Sequence, residues 1–554
     1  MEQTWWKEAV GYQIYPRSFQ DSNGDGIGDL QGIIQRLDYL KELGIDFLWV
    51  SPFYKSPLDD NGYDISDYQD ILADFGTMED FNQLLAEVHK RGMKLLMDLV
   101  LNHTSDEHPW FLESKSSKDN PKRDWYIWMD GKDGAEPNNW ESIFSGSAWQ
   151  YDDVTEQYYL HVFSRKQPDL NWENEKVRHA LYDMVNWWMD KGVDGFRIDA
   201  ISHIKKRPNF PNMPNPSGKK YVSSFDMHMN QQGIHTFLQE FKDETYGKRD
   251  NILTVGEANG VSIDDAHLWV GKYGKMDMLF QFEHIDLWDN DSNKGMDILG
   301  VKQALTRWQK GLENDGWNAL YIENHDKPRI ISSWGNEDTY WKESATALAA
   351  MYFLMKGTPF IYQGQEIGMT NSYFDQIEDY DDVAARNLYN EQIADGIAPD
   401  DILRTLGKTS RDNSRTPMQW SSKPYGGFSS TLPWLKVNPN YLTVNVEEQI
   451  ENQNSIYHFY KKMIQLRKQH DIFIYGSYHL LLPEDNKLFV YKRVLNDTEA
   501  YIITNLTSEN VLCTLDGTTP LSSDQLQLSN YGVEAHDAVN QFLLKPYETR
   551  IYIK

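Results

Sequence analysis

The run from Gly195 to Ala200 ends a short apolar stretch with an arginine and an aspartate two positions apart. In a strand, alternate side chains point to the same face, so Arg197 and Asp199 should enter one site together. A guanidinium this close favours the ionised carboxylate, which a nucleophile or a charge-stabilising acid requires. The alternative is a structural ion pair.

Three other polar clusters also follow apolar runs. They are Asp98–His103, Gly256–Asn259 and Glu323–Asp326. A metal cage of acids would need more ligands in each loop and would not include Arg197. Cleavage of a glycosidic bond needs one ionised carboxylate, one protonated carboxylic acid and further groups that hold sugar hydroxyls. Asp199 suits the first role, and the apolar setting of Glu257 suits an acid with a raised pKa.

Eight short apolar runs can place these clusters. The predicted strands are 13–15, 47–50, 95–98, 196–198, 253–255, 278–280, 320–322 and 360–362. Helical patterns lie between them, at 30–43, 79–91, 177–191 and 344–355. This alternation predicts an α/β fold, a closed (β/α)8 TIM barrel with its chemistry at the C-terminal ends of the strands.

Long polar segments interrupt the barrel pattern. We predict a first barrel part over 1–103, an inserted loop-rich domain over 104–171 after strand 3, and a second barrel part over 172–480. A polar excursion occupies about 366–430, after strand 8. Strand-like runs after about 480 predict a C-terminal antiparallel β domain over 481–554.

Composition limits the partners. The chain has 554 residues and a net charge of −29, which opposes binding to nucleic acid and to anionic membranes. The single cysteine, Cys513, cannot form a disulfide within the chain, and no apolar run has the length of a membrane span. The first residues lack the pattern of a signal peptide. We therefore expect a cytoplasmic, soluble protein that is monomeric or weakly homo-oligomeric.

The four clusters together resemble the signature regions of the α-amylase family, family 13 of the glycoside hydrolases. The resemblance covers the whole chain, and Gln167–Asn171 is similar to the extra signature of the oligo-1,6-glucosidase and α-glucosidase branch. It implies a retaining double displacement in which Asp199 is the nucleophile, Glu257 the acid and base, and Asp326 the group that holds the distorted sugar. Retention predicts that the nucleophile and acid carboxylates lie about 5–5.5 Å apart.

The resemblance also implies a pocket for the terminal non-reducing glucose, closed at its far end by Asp60 and Arg411. The residues implied to line it are Asp60, Tyr63, His103, Phe144, Phe163, Gln167, Arg197, His325 and Arg411. Arg415 is interpreted as an ion-pair residue of the scaffold. Such a pocket makes the enzyme exo-acting on small malto-oligosaccharides.

Linkage preference is inferred from the residue after the nucleophile. In this branch a bulky Val there resembles the α-1,6-cleaving members and a smaller residue the α-1,4-cleaving members. Here it is Ala200, and His203 and Asn259 should border the same aglycone side. We expect an α-glucosidase for maltose and short α-1,4-linked oligosaccharides. The alternatives are an oligo-1,6-glucosidase, a sucrose isomerase or transglucosidase, and a trehalose-6-phosphate hydrolase. An inactive scaffold protein is weaker, because the acids are present.

A separate acidic loop indicates a structural metal site. Oxygen ligands alternate over Asp21–Asp29 as in the first half of an EF-hand loop, but position twelve is Gly32 instead of Glu. As in relatives with this loop, one Ca²⁺ could be held, with Mg²⁺ as the other candidate. The ligands would be Asp21, Asn23, Asp25, the Ile27 carbonyl and Asp29. An acidic turn without an ion is the alternative.

Overall fold

The computed structural model describes residues 4–287, 295–518 and 520–554, so the first three residues of the predicted barrel lie outside the described range. Within these ranges eight parallel strands form one sheet. They are β1 (Gly11–Ile14), β2 (Phe47–Val50), β3 (Lys94–Val100), β4 (Gly195–Asp199), β5 (Leu253–Glu257), β6 (Met278–Phe280), β7 (Ala319–Leu320) and β8 (Thr358–Tyr362). Their order is β6-β5-β4-β3-β2-β1-β8-β7, and a parallel bridge between Leu279 and Asn318 joins the two edges. The predicted TIM barrel is confirmed.

Helices pack around the barrel; most are amphipathic, whereas Trp341–Phe353 is buried on every face from Ser344 onward. The longer ones are Leu30–Leu43, Met78–Lys90, Glu175–Asp190, Ile234–Glu244, Ile298–Gly311, Trp341–Phe353 and Ile456–Gln469. In the helix Leu30–Leu43, capping residues visible in the sequence mark both ends. The Asp29 carboxylate accepts the backbone N–H of Gly32 at its start, and Gly44 ends it with a φ of 106°. Glycine adopts this left-handed conformation at little energetic cost, so Gly44 is a favourable residue at which to end the helix.

Strand β7 is shorter than the predicted run 320–322. It pairs with β8 only through Ala319 with Thr358 and Leu320 with Pro359. The ladder ends at Leu320, and the chain leaves the sheet before it reaches the polar cluster at 323–326.

The segment 104–171 carries its own small sheet. Strands Trp128–Met129 and Trp149–Asp152 both pair antiparallel with Gln157–Leu160, and a short helix spans Pro109–Ser114. Trp140–Glu141 pairs with Val222–Ser223, which comes from the loop after β4. The inserted lobe is thereby tied to the barrel loop that follows Asp199. The domain boundaries 104 and 171 remain a prediction.

The excursion at 366–430 contains helices that the sequence reading did not predict. They are Val383–Ala394, Pro399–Thr409 and Asp412–Arg415. Val383–Ala394 is largely polar and lacks the apolar stripe by which a helix is recognised. Pro399–Thr409 has such a stripe, with Ile402 and Leu406 buried, and the prediction overlooked it. The other short helices in the described residues are Trp5–Glu8, Phe225–His228, Ala266–Trp269, Ile330–Trp334, Val446–Glu451 and Ile472–Tyr475.

The C-terminal part is an antiparallel β domain. Its strands are β9 (Ser477–Leu481), β10 (Leu488–Leu495), β11 (Thr498–Asn505), β12 (Val511–Thr514), β13 (Leu526–Ser529), β14 (Gln541–Leu544) and β15 (Thr549–Ile553). One sheet has the order β9-β10-β11-β15-β13, and β12 pairs with β14. The domain's first strand begins before the predicted boundary at 481. Among the described residues, no helix is long and apolar enough to cross a membrane.

Candidate active site

One buried guanidinium joins the carboxylates at the ends of three neighbouring strands. Arg197 Nη1 lies 2.6 Å from Asp199 Oδ1 and 2.9 Å from Asp98 Oδ1, and Nη2 lies 2.9 Å from Glu257 Oε2. Strands β3, β4 and β5 are adjacent in the sheet, so these side chains meet although they are far apart in sequence. The sequence predicted the Arg197–Asp199 pair. It did not predict that Glu257 shares the same arginine.

The cluster has more acids than cations. Burial raises the pKa of Asp199 well above its usual range; Arg197 opposes this rise, and the Glu257 and Asp98 carboxylates add to it. Burial also raises the pKa of Asp98 to about 6, against the charge of Arg197. One guanidinium does not neutralise three neighbouring carboxylates, and like charges at this range disfavour joint ionisation. The direction of the Asp199 shift is opposite to the one predicted from Arg197 alone, because burial and the two neighbouring carboxylates outweigh the guanidinium.

Asp326 stands in the opposite electrostatic setting. Its Oδ1 lies 2.9 Å from Arg415 Nη2 and 3.4 Å from Arg411 Nη1, and its Oδ2 lies 3.1 Å from His325 Nε2. Burial alone would raise the pKa of Asp326, but His325 and the two arginines hold it below the usual range. Asp326 is ionised throughout the range in which enzymes work. Arg415, interpreted from the sequence as an ion-pair residue, is the closer of its two arginine partners.

Asp60 and Arg411, which the resemblance implies at the far end of the pocket, form an ion pair. Arg411 Nη2 lies 3.1 Å from Asp60 Oδ1, and Gln167 donates its side-chain amide to Asp60 Oδ2 at 3.0 Å. Arg411 also binds Asp382, at 2.6 Å. Three of the predicted pocket residues are thus brought together, and Asp382 is a pocket residue that the sequence reading missed. Nothing in its local sequence distinguished it from the other acids of the excursion.

Aromatic and histidine side chains that were predicted to line the pocket contact one another in two groups. The rings of Tyr63 and His325 stack at 5.2 Å, and the Tyr63 hydroxyl donates to Asp98 Oδ2. Phe144 packs under the Arg411 guanidinium at 4.7 Å and against Phe163 at 5.8 Å. Tyr63 and His325 thus form one pair of rings near Asp98, and Phe144 and Phe163 form another near Arg411.

His103 fills the space behind Phe163. Its Nε2 lies 3.1 Å from the Tyr63 carbonyl oxygen and 3.1 Å from Gln167 Nε2. Burial lowers the pKa of His103 to about 4, so the ring is neutral at working pH. On the other side of the ring, Asn102 Nδ2 lies 3.2 Å from Nδ1.

The three residues predicted to border the aglycone, Ala200, His203 and Asn259, make few contacts with one another. Ala200 has a φ of 43°, and its backbone N–H donates to Glu257 Oε2 at 2.9 Å. His203 packs edge-on against Phe163 and lies 2.9 Å from His228 through the two Nδ1 atoms. Asn259 is half-buried, and within the described residues no hydrogen bond joins it to the other predicted site residues.

Several further residues of the site could not be singled out beforehand. Asp98 belongs to a recognised cluster but was not assigned to the site, although it is fully buried against Arg197. Trp49 donates its Nε1–H to Asp98 Oδ2 at 3.0 Å. Gln13, on β1, reaches His325 at 2.7 Å. The position of each at the end of a barrel strand is the signal that would have found it.

The acidic loop at 21–29 is ordered by its own backbone. Asp21 accepts the N–H groups of Asn23, Gly24 and Gly26, and Asn23 Nδ2 donates to Asp25 Oδ2 at 3.1 Å. In the part of the chain that the structure describes, no group of three or more His, Cys, Asp or Glu side chains is arranged for a metal ion. The loop's oxygen donors are of the type that a hard cation prefers. Calcium binding stays a prediction.

Comparisons with known proteins agree with this geometry. Residues 13–476 match the family described as "Alpha amylase, catalytic domain". The chain is 59% identical over 554 residues to "Probable oligo-1,6-glucosidase 3" of Bacillus subtilis, covering all of both chains. It is 52% identical to "Oligo-1,6-glucosidase" of Parageobacillus thermoglucosidasius, covering 100% of this chain and 99% of the relative. The solved isomaltulose synthase of Klebsiella sp. LX3 is 41% identical with a TM-score of 0.95, and 100% of each chain is covered.

A barrel with carboxylates grouped around one arginine at the C-terminal ends of its strands is the architecture of a glycoside hydrolase. The chain belongs to the α-amylase family, family 13 of the glycoside hydrolases, in its oligo-1,6-glucosidase and α-glucosidase branch.

Proposed function

We propose that this protein is a retaining, exo-acting α-glucosidase that releases the terminal non-reducing glucose from short α-1,6-linked oligosaccharides. The names of its relatives support the linkage, since two proteins at 59% and 52% identity are called oligo-1,6-glucosidases. The observation that carries the reaction type is the arginine shared by Asp199 and Glu257. Arg197 holds the carboxyl groups of Asp199 and Glu257 on one side of the proposed pocket.

The chemistry starts with two groups acting on one bond. Asp199 attacks the anomeric carbon while Glu257 gives its proton to the glycosidic oxygen, so the leaving sugar departs as an alcohol. Arg197 and the Ala200 N–H both bind Glu257 Oε2. The proton that Glu257 delivers therefore sits on Oε1, the oxygen that neither of these donors holds.

The second step releases glucose. Glu257, now a carboxylate, takes a proton from water, and the hydroxide equivalent attacks the anomeric carbon of the glucosyl ester on Asp199. The ester bond breaks, Asp199 is restored as a carboxylate, and the anomeric configuration is retained after two inversions. Asp326, kept ionised by Arg411 and Arg415, holds the distorted sugar in both steps.

Exo action follows from the closed end of the pocket. Asp60, Arg411 and Gln167 form a hydrogen-bonded wall beyond the position of the terminal glucose. Buried charged groups at that wall suit sugar hydroxyls and leave no path for a longer chain. A substrate can therefore enter only by its non-reducing end.

The expectation of α-1,4 specificity is not confirmed by the relatives, whose names favour the α-1,6 alternative. One observation still favours α-1,4 hydrolysis as a second candidate. Ala200, directly after the proposed nucleophile, is small, and its backbone N–H binds the proposed acid. A small side chain at this point leaves room for an aglycone held in a different orientation.

Product analysis tests the proposal. We expect ¹H NMR to show α-glucose as the first product from isomaltose and isomaltotriose; initial β-glucose would contradict retention. Maltose, sucrose, trehalose and trehalose 6-phosphate should be compared in parallel. Faster maltose cleavage would favour the second candidate, and preferred cleavage of a trehalose compound, or isomerisation of sucrose, would exclude both.

Two substitutions test the assigned roles. Asp199→Asn should lower kcat at least about a thousandfold on every substrate. Glu257→Gln should lower kcat/KM far more on isomaltose than on 4-nitrophenyl α-glucoside, whose leaving group needs no proton. The matched control is Glu240→Gln, a surface glutamate paired with Arg178. Equal losses on both substrates for Glu257→Gln would remove its role as the acid.

A further inference from the structure

Gln13 makes a buried contact with the imidazole of His325. It is a residue of β1 whose side chain points into the barrel, and only 1% of its surface is exposed. Its Nε2 lies 2.7 Å from His325 Nδ1 and 3.2 Å from Ser51 Oγ. The two residues are 312 positions apart in the chain. The contact therefore depends entirely on closure of the barrel.

The His325 ring has little freedom to rotate. Tyr63 stacks on one face at 5.2 Å with an interplanar angle of 7°, and Tyr15 lies near the ring at 6.0 Å with an angle of 26°. Trp49 meets it edge-on at 6.1 Å. Because the ring is held by these neighbours, each of its nitrogens faces one fixed environment. Nδ1 faces Gln13, and Nε2 faces the pocket beside Asp326.

The charges around His325 decide which nitrogen carries the proton. The ring is fully buried, and burial lowers the pKa of His325 to about 3; Asp326 opposes the shift, and Arg415, Arg197 and Arg411 add to it. The ring is therefore neutral and has one proton. Nε2 lies 3.1 Å from Asp326 Oδ2, which is ionised, but the geometry is not that of a hydrogen bond, and Nε2 has no hydrogen-bond partner among the described residues. A bare nitrogen lone pair there would face a negative charge, so the proton belongs on Nε2.

That assignment makes Nδ1 an acceptor and requires a donor from Gln13. The Gln13 amide N–H meets this need, whereas the reversed amide would place Oε1 against the Nδ1 lone pair. Gln13 Oε1 has no hydrogen-bond partner among the described residues. Gln13 and Arg197 both line a cavity of about 10 Å³.

We propose that Gln13 is a positioning residue: it fixes His325 in the neutral tautomer with the proton on Nε2, so that this N–H is directed at a hydroxyl of the bound sugar. The role in sugar binding rests on the proposed function. The tautomer does not, since it can be measured in the protein without substrate. Gln13 itself touches no reacting atom.

A spectroscopic measurement tests the tautomer directly. In ¹⁵N-histidine-labelled protein, with the His325 signals assigned by their loss in His325→Asn, we expect a pyridine-like Nδ1 and a protonated, pyrrole-like Nε2. Gln13→Glu replaces the donor with an acceptor and should move the proton to Nδ1 or add a second one there. A protonated Nδ1 in the wild type would overturn the proposal, whatever the protein hydrolyses.

A double-mutant cycle tests whether the effect on activity passes through His325. Gln13→Met should lower kcat/KM on 4-nitrophenyl α-glucoside about tenfold, yet in the His325→Asn background it should change kcat/KM by less than about twofold. Additive losses would show a general packing role and overturn the proposal. Gln365→Met is the matched control, because Gln365 is also buried but bonds to Tyr460 and not to His325. It should leave kcat/KM within about twofold.

Failures can be told apart. If Gln13→Met does not fold, the wild-type spectrum alone decides the tautomer. If the predicted tautomer is present but Gln13→Glu changes it without lowering kcat/KM, the positioning role is excluded. If the wild type does not hydrolyse α-glucosides at all, the proposed function fails while the tautomer result stands.

Discussion

Arg411 Nη2 lies 3.1 Å from Asp60 Oδ1, which pairs a residue of the excursion after β8 with a residue of the loop after β2. The pair is mostly buried, with side-chain exposures of 14% and 6%. Arg411 also contacts Asp326 at 3.4 Å, so the wall of the pocket and the acid proposed to hold the sugar share one cation. A substitution of Asp60 should therefore change both substrate binding and the rate of catalysis.

Asp60→Asn tests this wall. The substitution keeps the shape of the side chain but removes the charge that Arg411 and Gln167 bind. Losing one partner of a buried charge pair should lower kcat/KM on isomaltose by about tenfold to a hundredfold. The control is Arg386→Ala, on the same excursion. Arg386 is half-exposed and lies as far as 3.9 Å from its ion-pair partner Asp381, so the substitution should have little effect. Unchanged kcat/KM for Asp60→Asn would show that the wall does not hold the terminal glucose.

Ala200→Val tests the linkage argument. If the side chain after the nucleophile shapes the aglycone side, the ratio of isomaltose to maltose hydrolysis should rise about tenfold, the scale of a small steric change in a pocket. The variant should also lose stability, because a β-branched side chain at a φ of 43° is strained by about 1–3 kcal/mol.

Ala200→Gly separates the two effects. Glycine removes the backbone strain and keeps the position small, so the hydrolysis ratio should not rise. If both variants leave the ratio unchanged, Ala200 does not set the linkage, and the α-1,4 candidate loses its support.

The barrel and its strand ends could be predicted because they depend on local pattern. The helix predicted at 30–43 has those bounds, since Asp29 and Gly44 mark its ends in the sequence itself. Strand β7 is shorter than predicted, because its pairing with β8 ends at Leu320 and the apolar residues that follow lie outside the ladder. The helix at 383–394 was missed because it has no clear apolar stripe, whereas the one at 399–409 has an apolar face with Ile402 and Leu406 that the prediction overlooked.

The site was predictable in its residue types and less so in its contacts. The Arg197–Asp199 pair follows from a spacing of two on one strand. The Arg197–Glu257 and Gln13–His325 contacts depend on which strands are adjacent and how the side chains turn, which no local pattern contains. The raised pKa of Asp199 depends in part on these contacts, since the Glu257 and Asp98 carboxylates add to the effect of burial. It could therefore be inferred only once the three acids were seen around one guanidinium.

Removal of divalent ions tests the acidic loop. If one Ca²⁺ is held by Asp21, Asn23, Asp25, the Ile27 carbonyl and Asp29, a chelator should lower the Tm, and Ca²⁺ should restore it. Saturation at a hundred times Kd is worth about 2.7 kcal/mol. Mg²⁺ should be titrated separately. A Tm that neither Ca²⁺ nor Mg²⁺ changes would contradict the proposed metal site.

Asp25→Ala is the informative variant for that loop. Its side chain bonds only to Asn23 and Ile27 within the loop, so the fold should survive its loss. Asp21 accepts three backbone N–H groups and Ser429, and changing it would disturb the loop with or without an ion. Asp25→Ala should abolish the calcium-dependent change in Tm and leave the metal-free Tm close to that of the wild type.

His108→Asn tests how buried neutral histidines limit stability in acid. His108 caps the helix Pro109–Ser114, and its Nδ1 accepts the backbone N–H of Trp110 at 3.1 Å. Burial lowers the pKa of His108 from 6.5 to about 3, with a smaller contribution from Lys122. Below pH 6.5 the unfolded chain binds a proton that the folded protein does not. Stability is therefore lost as the pH falls from 6.5 to about 3, by up to about 1.4 kcal/mol per pH unit.

Asparagine keeps the cap acceptor and removes the titrating group, since Asn is among the preferred N-cap residues. His108→Asn should therefore match the wild type at pH 7.5 and unfold at a higher Tm than the wild type at pH 5. His179→Asn, at a half-exposed position beside Glu175, is the control and should show the same pH dependence as the wild type. If thermal unfolding between pH 7.5 and 4.5 gives parallel curves for His108→Asn and the wild type, the helix cap does not contribute to acid sensitivity. The loss would then have to come from the other buried histidines, of which His161 in the same inserted lobe is the next to test, since burial lowers its pKa to about 4.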